Sequence, residues 1–260
     1  MKPVHIYRGS SPVILAIPHT GTFVPAEIKA SLNETGRRLA DTDWHVDRLY
    51  RGLLPGATIV RANFHRYVID ANRDPSGKSL YPGQNTTGLC PLTDFDGVEI
   101  YKQSRKPDAN EIARRQSHYH TPYHQAMESE IKRLRQIHKN VVLYDCHSIR
   151  SHVPFLFEGT LPDFNIGTNG GTTCDPYLEK AVVNICNNAK GYTSVLNGRF
   201  KGGWTTRHYG NPDAGVHAIQ MELSQKTYMD ETPPWTYQPN RARNVRRVLR
   251  DALQSIAHFR

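Results

Sequence analysis

Two histidines lie far apart in the chain, and each comes after a short apolar run that is typical of a buried strand. His19 follows residues 13–17, and His147 follows residues 141–145. Ligands of open α/β sheets bind beyond the carboxyl ends of the strands, so we expect the two imidazoles to meet at one sheet edge. Because imidazole is the commonest metal ligand among side chains, the pair indicates a metal site.

The segment DTDWHVDRLY supplies the carboxylate that such a site needs. Asp43 and Asp47 are four residues apart and would share one face of a helix. Capping of that helix explains one aspartate but not both. Two imidazoles and one carboxylate form the ligand set of a catalytic zinc, which keeps a fourth position for water. The sequence therefore predicts zinc held by His19, His147 and an aspartate, with Asp43 favoured and Asp47 either supporting it or replacing it.

A hydrolytic zinc site also needs a general base, and Glu222 is the candidate. It lies in the segment VHAIQMELSQ, where apolar and polar residues alternate as in a half-buried strand. The competing interpretation is an exposed strand carboxylate with no chemical role. We expect Glu222 to lie beside the metal.

Arginines close to these segments indicate an acidic ligand. Guanidinium groups bind carboxylates through two parallel hydrogen bonds, which makes arginine the usual residue for recognising an acid. Arg73 is the favoured member, because the turn Asn-Arg-Asp-Pro that follows a predicted strand would fix its position. The candidates are Arg66, Arg73, Arg150, Arg199 and Arg207.

Strands and helices alternate through the whole chain, which favours one α/β layer structure around a largely parallel or mixed sheet. The length of 260 residues suits one domain spanning residues 1–260. Two loops rich in glycine, proline and asparagine, residues 74–96 and 197–213, are candidate walls or lids of a site. The predicted strands are 13–17, 58–61, 67–70, 141–145, 154–157, 165–168 and 216–223. The predicted helices are 44–54, 110–139 (either continuous or broken near Pro122), 176–188 and 241–258.

Composition excludes several classes of protein. No apolar run reaches the ~20 residues of a membrane helix, and the N-terminus lacks the pattern of a signal peptide. Four cysteines without a CxxC pair favour reduced thiols and a cytoplasmic location. The net charge is +9, yet the basic stretch 241–250 has the periodicity of an amphipathic helix with a solvated arginine face. We therefore expect no nucleic-acid or membrane partner.

Seven motifs in order resemble the N-formylglutamate amidohydrolase (N-formylglutamate deformylase) family. They span the chain from His19 to Asp230 and read IPHTGTFVP, DTDWHVDRLY, VIDANRDPSG, LYDCHSIRS, FNIGTNGGTTC, GGWTTRHYG and IQMELSQ. The resemblance implies a three-layer α/β/α domain around a mixed, mostly parallel sheet, similar to the zinc carboxypeptidases (a phosphorylase/hydrolase-like fold). It also implies one zinc ion and hydrolysis of N-formyl-L-glutamate to formate and L-glutamate, the last step of a histidine-degradation route in family members.

The resemblance also implies roles for individual residues. His19 and His147 resemble the two histidine ligands, and Glu222 resembles the general-base glutamate. Asn72 and Arg73 resemble the pair that holds the terminal carboxylate of the substrate. The carboxypeptidase pattern places a glutamate ligand three residues after the first histidine, where this chain has a threonine, so the acidic ligand must come from the segment 41–50.

In the expected mechanism, water attacks the formyl carbon while Glu222 takes its proton and Arg66 stabilises the oxyanion. One or more of Arg150, Arg199 and Arg207 would bind the second carboxylate. The alternatives are a different N-acyl acidic amino acid as substrate, a cysteine hydrolase using Cys146 beside His147, and a basic binding protein without enzymatic activity.

Three further histidines lie in the long predicted helix. His120 and His124 have the spacing of a metal pair, but no acidic residue accompanies them. We expect these two residues and His118 to be surface or packing residues. Trp204 and Tyr209 are candidates for the pocket wall.

Overall fold

A computed structural model describes residues 1–259 and contains one seven-stranded sheet, in the order β1-β3-β2-β4-β7-β5-β6. Four neighbouring pairs are parallel, whereas β1 runs antiparallel to β3 and β5 antiparallel to β7. The prediction of a mixed, mostly parallel sheet is thus confirmed. The strands are β1 Val4–Tyr7, β2 Val13–Ile17, β3 Thr58–Ala62, β4 Val141–Ile149, β5 Phe164–Gly167, β6 Ser194–Leu196 and β7 Val216–Ser224.

Helices cover both faces of the sheet, which gives the three predicted layers. Alternate residues of β2 point to opposite sides: Leu15 packs with one buried cluster and Ile14 with the other. Helices α3, α6 and α8 pack on the Leu15 side, and α5 packs on the Ile14 side. The helices are α1 Ala26–Ser31, α2 Glu34–Arg37, α3 Val46–Tyr50, α4 Ala109–Arg115, α5 Thr121–Arg135, α6 Pro176–Asn187, α7 Trp204–Tyr209 and α8 Pro239–Ala257.

The basic C-terminal helix is amphipathic as predicted, with Val245, Leu249 and Ile256 buried. One arginine of its polar face binds another helix of the same domain. Arg246 donates hydrogen bonds to the carbonyls that end α3, including that of Arg51 at 2.9 Å. Such capping of a helix C-terminus by a cation is favourable, because the last carbonyls of a helix lack partners within it. No helix of the described residues 1–259 is both long and apolar enough to cross a bilayer.

Two of the predicted strands differ from the structure. Residues 67–70 and 154–157 form turns instead of strands. The Val68 amide donates to the His65 carbonyl at 2.9 Å, and the amides of residues 156 and 157 both donate to the Val153 carbonyl. Residues 67–70 are a buried, mostly apolar run, which looks the same in a strand and in a buried turn. Residues 154–157 are apolar but exposed or half-buried, so apolar composition alone predicted that strand wrongly.

The long helix is continuous past Pro122 because the proline lies in the first turn of α5, where a helix tolerates it. A π-helical turn, Gln116–His120, joins α4 to α5.

Candidate metal centre and active site

His19 and His147 converge at the carboxyl ends of adjacent strands. Strands β2 and β4 are parallel, and Ala16 pairs with Asp145, so the ends of the two strands lie side by side. His19 follows the end of β2 by two residues, and His147 lies near the end of β4. Their Nδ1 atoms are 3.2 Å apart, and both rings are buried.

Asp43 completes a cluster of three possible metal ligands with these rings. Its Oδ2 lies 3.8 Å from His19 Nδ1 and 3.4 Å from His147 Nδ1. The Ser148 amide donates to the same oxygen at 3.0 Å, and the Asp43 amide donates to the His19 carbonyl at 3.1 Å. One ligand atom from each of the three residues lies within 4.8 Å of the other two. Two imidazole nitrogens and one carboxylate oxygen fit a catalytic divalent metal of the zinc type.

A carboxylate lies behind each histidine. Asp70 Oδ1 is 2.6 Å from His19 Nε2, and Asp145 Oδ1 is 2.8 Å from His147 Nε2. Both pairs leave Nδ1 facing Asp43. Carboxylate–histidine pairs of this kind fix the tautomer and the ring orientation of metal ligands. The surroundings of the cluster therefore fit the same metal.

Neither supporting carboxylate is among the site residues that the sequence predicts. Asp145 offered a signal, because residues two apart on a strand share a face and His147 follows it at that spacing. Asp70 offered none, since it lies in a buried turn and contacts His19 across 51 residues of sequence.

Asp47 lies outside the cluster, against the expectation that it supports or replaces Asp43. It forms an ion pair with Arg61 at 2.8 Å and lies 4.0 Å from Arg51. The shared-face argument fails because α3 begins only at Val46, after the left-handed residue His45 with φ 63°. Asp43 therefore precedes the helix on whose surface Asp47 lies.

Arg66 places a cationic group directly at the cluster. Its Nη2 hydrogen-bonds His19 Nδ1 and lies 3.4 Å from Asp43 Oδ1. The guanidinium is buried and lies over the Phe95 ring, with Cζ 4.9 Å from the ring centroid. The possible ligand atoms of His19 and Asp43 thus face a positively charged group.

The two histidines differ in basicity. Burial and the nearby Arg66 charge lower the pKa of His19. Burial also acts against the charged form of His147, but Asp145 and Asp43 outweigh it and raise the pKa of His147 well above its usual value. The environment therefore favours the neutral form of His19 and the protonated form of His147.

Glu222 lies beside the cluster and is buried, so the alternative of an exposed strand carboxylate is wrong. Burial raises its pKa to about 8, and the neighbouring Asp43 charge acts in the same direction. Gln220 lies on the same face of β7, with Nε2 3.4 Å from Glu222 Oε2, and accepts a hydrogen bond from the Gly203 amide at 2.7 Å. A carboxyl group with a pKa near neutrality can both accept and donate a proton.

The arginines fall into two groups. Arg73 and Arg199 line the cleft that also contains His19 and Glu222, and Arg66 lies at its base. Backbone carbonyls hold the two wall arginines: Arg73 Nε donates to Thr87 and Arg199 Nε donates to Leu156, each at 2.8 Å.

The other two candidate arginines do not line this cleft, which corrects their assignment to it. Arg150 pairs with Asp96 at 2.9 Å. Arg207 donates to the Gly202 carbonyl at 2.8 Å and lies over the Tyr81 ring, with Cζ 5.1 Å from the ring centroid. Residues from both long loops form part of the cleft wall: Tyr81, Thr86, Thr87, Phe95, Arg199, Phe200 and Gly203.

Asn72 contacts the metal-type cluster, that is, the three residues His19, Asp43 and His147, through its side chain. Its Nδ2 lies 3.1 Å from His147 Nε2, and its Oδ1 accepts a hydrogen bond from the Thr205 amide at 2.8 Å. Gly203 allows this approach, because a Cβ atom at that position would lie 2.3 Å from Asn72 Nδ2. Trp204 and Tyr209, the first and last residues of α7, pack against His124 and do not line the cleft.

Cys146 lies on the face of β4 opposite to His147, within the hydrophobic cluster under α3 and α8. Burial raises the pKa of its thiol well above the usual value. A thiol without a nearby base and without access to the cleft cannot act as the activated nucleophile of a cysteine hydrolase.

Comparisons with known proteins agree over nearly the whole chain. Residues 11–229 match the N-formylglutamate amidohydrolase family. An N-formylglutamate deformylase from Pseudomonas aeruginosa is 47% identical over 250 residues, which cover 96% of this chain and 94% of that protein. One from Pseudomonas putida is 44% identical over 258 residues, which cover 98% and 96%. The crystal structure of an N-formylglutamate amidohydrolase from Ralstonia eutropha has a TM-score of 0.81 at 29% identity, covering 99% of this chain and 97% of that one.

Proposed function

The chain belongs to the N-formylglutamate amidohydrolase family, and we propose that it hydrolyses N-formyl-L-glutamate to formate and L-glutamate. The observation that carries this proposal is the convergence of His19, Asp43 and His147 next to Glu222, in a cleft lined by arginines. This arrangement combines the ligand set of a hydrolytic metal, a general base and cations for an acidic substrate.

We propose that His19, Asp43 and His147 hold one zinc ion. When bound, zinc lowers the pKa of water and polarises the substrate carbonyl. Asp70 and Asp145 keep the two imidazoles oriented with Nδ1 toward Asp43.

Glu222 acts as the general base in the proposed reaction. It accepts a proton from the water that attacks the formyl carbon and passes that proton to the leaving amine nitrogen. Its raised pKa supports both steps near neutral pH. Arg66 is buried beside the cluster and donates hydrogen bonds to the oxyanion that develops on the formyl oxygen.

Arg73 and Arg199 are the proposed partners of the two substrate carboxylates. The formyl group is small, so affinity must come largely from the glutamate part of the substrate. Both guanidinium groups line the cleft and are oriented by backbone carbonyls. Asn72 is the proposed neighbour of the terminal carboxylate, and its contacts with His147 and Thr205 keep it in place.

The family resemblance supports a place for the reaction in histidine degradation in the cytoplasm. The proposed partner is a small acidic N-acyl amino acid, not a nucleic acid. Formate release from a panel of N-formyl-L-glutamate, N-formyl-L-aspartate and N-formyl-L-glutamine, together with acetate release from N-acetyl-L-glutamate, tests the substrate. We expect the highest kcat/KM for N-formyl-L-glutamate. A higher kcat/KM for another member of the panel would show that this other compound is the substrate, and the assignment of the site residues would stand.

A further inference from the structure

Two buried histidines outside the metal-type cluster contact the backbone of the turn 70–73. His120 Nε2 lies 3.0 Å from the Arg73 carbonyl oxygen, and His124 Nε2 lies 2.8 Å from the Ala71 carbonyl oxygen. A carbonyl oxygen only accepts hydrogen bonds, so both rings must carry their proton on Nε2. Of the two expected positions, surface and packing, burial excludes the surface for His120 and His124, and each side chain also donates a defined hydrogen bond.

The second nitrogen of His124 also has a partner. Its Nδ1 lies 2.9 Å from the Tyr209 hydroxyl, and that hydroxyl also lies 3.3 Å from the His124 carbonyl oxygen. Burial lowers the pKa of His124 well below its usual value and also lowers that of His120. Burial therefore favours the neutral form of both rings.

The helix presents both histidines to the turn on one face. They are four residues apart, and their ring centroids lie 4.3 Å from each other. His120 is the last residue of the π-helical turn, a distortion that is frequent at functional sites. Trp204 of α7 packs against both rings, with centroid distances of 5.6 and 4.5 Å.

The turn held in this way contains three residues of the candidate site. Asp70 bonds His19, Asn72 contacts His147, and Arg73 lines the cleft. The two carbonyls that accept the histidine bonds flank Asn72 on either side. A change in either bond would move the backbone that carries all three side chains.

We propose that His120 and His124 are positioning residues that fix the turn 70–73, and thereby set Asp70 behind His19 and Arg73 at the substrate. The effect on Arg73 rests on the proposed function, whereas the effect on Asp70 rests only on the metal-type cluster.

The test removes the N–H donor at Nε2 and keeps an aromatic ring at each position. His120→Phe and His124→Phe retain the packing against Trp204 but cannot donate to the turn. His120→Gln and His124→Gln place an amide N–H close to the position of the original Nε2, and the shorter Asn variants do not. His118→Phe is the matched control, because His118 is exposed on the same helical stretch and bonds only within it, to the Arg114 carbonyl.

Three quantities are measured on each variant: the zinc dissociation constant by competition with a chromogenic chelator, kcat and KM for N-formyl-L-glutamate, and the melting temperature. We expect His124→Phe to weaken zinc binding by about 10- to 100-fold, as is usual when the support of a metal ligand is lost. We expect His120→Phe to raise KM by about tenfold or more with a smaller change in kcat, through the displacement of Arg73. The Gln variants should recover most of each loss, and the control should behave as the parent protein.

Folded Phe variants with parental zinc affinity and KM would overturn the proposal. Equal losses in the Gln and Asn variants would also overturn it, because a merely structural role does not depend on where the donor lies. Should the Phe variants fail to fold, the contrast between Gln and Asn decides alone. A parent protein that binds zinc but releases no formate would refute the proposed function, and the zinc affinities would still test the role of His124.

Discussion

His147 and Glu222 are paired residues on the adjacent parallel strands β4 and β7. Paired residues of neighbouring strands point to the same face of the sheet, so both side chains face the cleft. The distance between the possible metal ligand and the proposed base is therefore fixed by the hydrogen bonds of the central sheet and not by a loop. Residues on strands are positioned more precisely than residues on loops, which favours a fixed geometry between His147 and Glu222.

Glu222→Gln should lower kcat by about 10²- to 10⁴-fold, because the amide cannot accept the proton of the attacking water. KM and zinc content should remain near those of the parent protein, since Glu222 is not among the clustered ligands. Stopped assays of formate release give the comparison. Glu128→Gln is the control, because Glu128 is exposed on α5. A kcat within a few-fold of the parent protein would remove Glu222 from the mechanism.

The raised pKa of Glu222 predicts how the stability of metal-free protein depends on pH. The pKa of Glu222 is about 8 in the folded protein and 4.5 ordinarily. Between these pH values the unfolded chain ionises this carboxyl group while the folded protein keeps it neutral, so the free energy of unfolding falls as pH rises. Glu222→Gln should therefore gain stability relative to the parent protein between pH 5 and pH 8, on the order of a few kcal/mol. Urea unfolding in chelator measures the difference at both pH values. A difference independent of pH would contradict the burial argument.

The two aspartates of the segment 41–50 should behave differently. Asp43→Asn removes a carboxylate ligand and should abolish stoichiometric zinc binding at micromolar protein concentration. Asp47→Asn should bind zinc normally, because Asp47 pairs with Arg61 away from the cluster. Equilibrium dialysis with zinc analysis distinguishes them. Loss of zinc in the Asp47 variant but not in the Asp43 variant would reverse the assignment.

Asp145→Asn should weaken zinc binding by about 10- to 100-fold while leaving the three ligands in place. The Asp145 carboxylate lies 2.8 Å from His147 Nε2, and a neutral amide in its place no longer favours the proton on that nitrogen. Chelator competition gives the affinity, with Asp96→Asn as a control on an exposed pair. Unchanged affinity would mean that the orientation of His147 does not depend on Asp145.

Arg73→Ala should raise KM for N-formyl-L-glutamate by about ten- to 150-fold, the equivalent of losing about 1.5–3 kcal/mol of hydrogen bonding to a charged group. Arg150→Ala is the control, because Arg150 pairs with Asp96 and does not line the cleft. Steady-state kinetics separate KM from kcat. If KM stays unchanged in the Arg73 variant, the guanidinium does not bind the substrate.

The residues on strands were the most predictable part of the site. His19, His147 and Glu222 could be found because a polar residue at the end of a buried strand, or on one face of a half-buried strand, has a position that the sheet dictates. Asp43 was identified by the need for an acidic ligand, but its rival Asp47 could be separated from it only when the start of α3 was known.

The turn 70–73 and its supports were not predictable. Residues 67–70 resemble a strand by composition, and their turn is stabilised by contacts with distant segments, such as the bond from the Asp70 amide to the Leu89 carbonyl. His120 and His124 bond carbonyls 47 and 53 residues away. Nothing in the local pattern of a helix indicates which backbone its buried histidines will meet.

His19, Asp43 and His147 are proposed to hold one metal ion that hydrolysis of N-formyl-L-glutamate requires. Titration of metal-free protein with zinc, followed by formate release, tests this requirement most directly. We predict that the rate rises from near zero and saturates at one zinc per chain. Full activity in the metal-free protein, or no formate at any zinc concentration, would contradict this proposal.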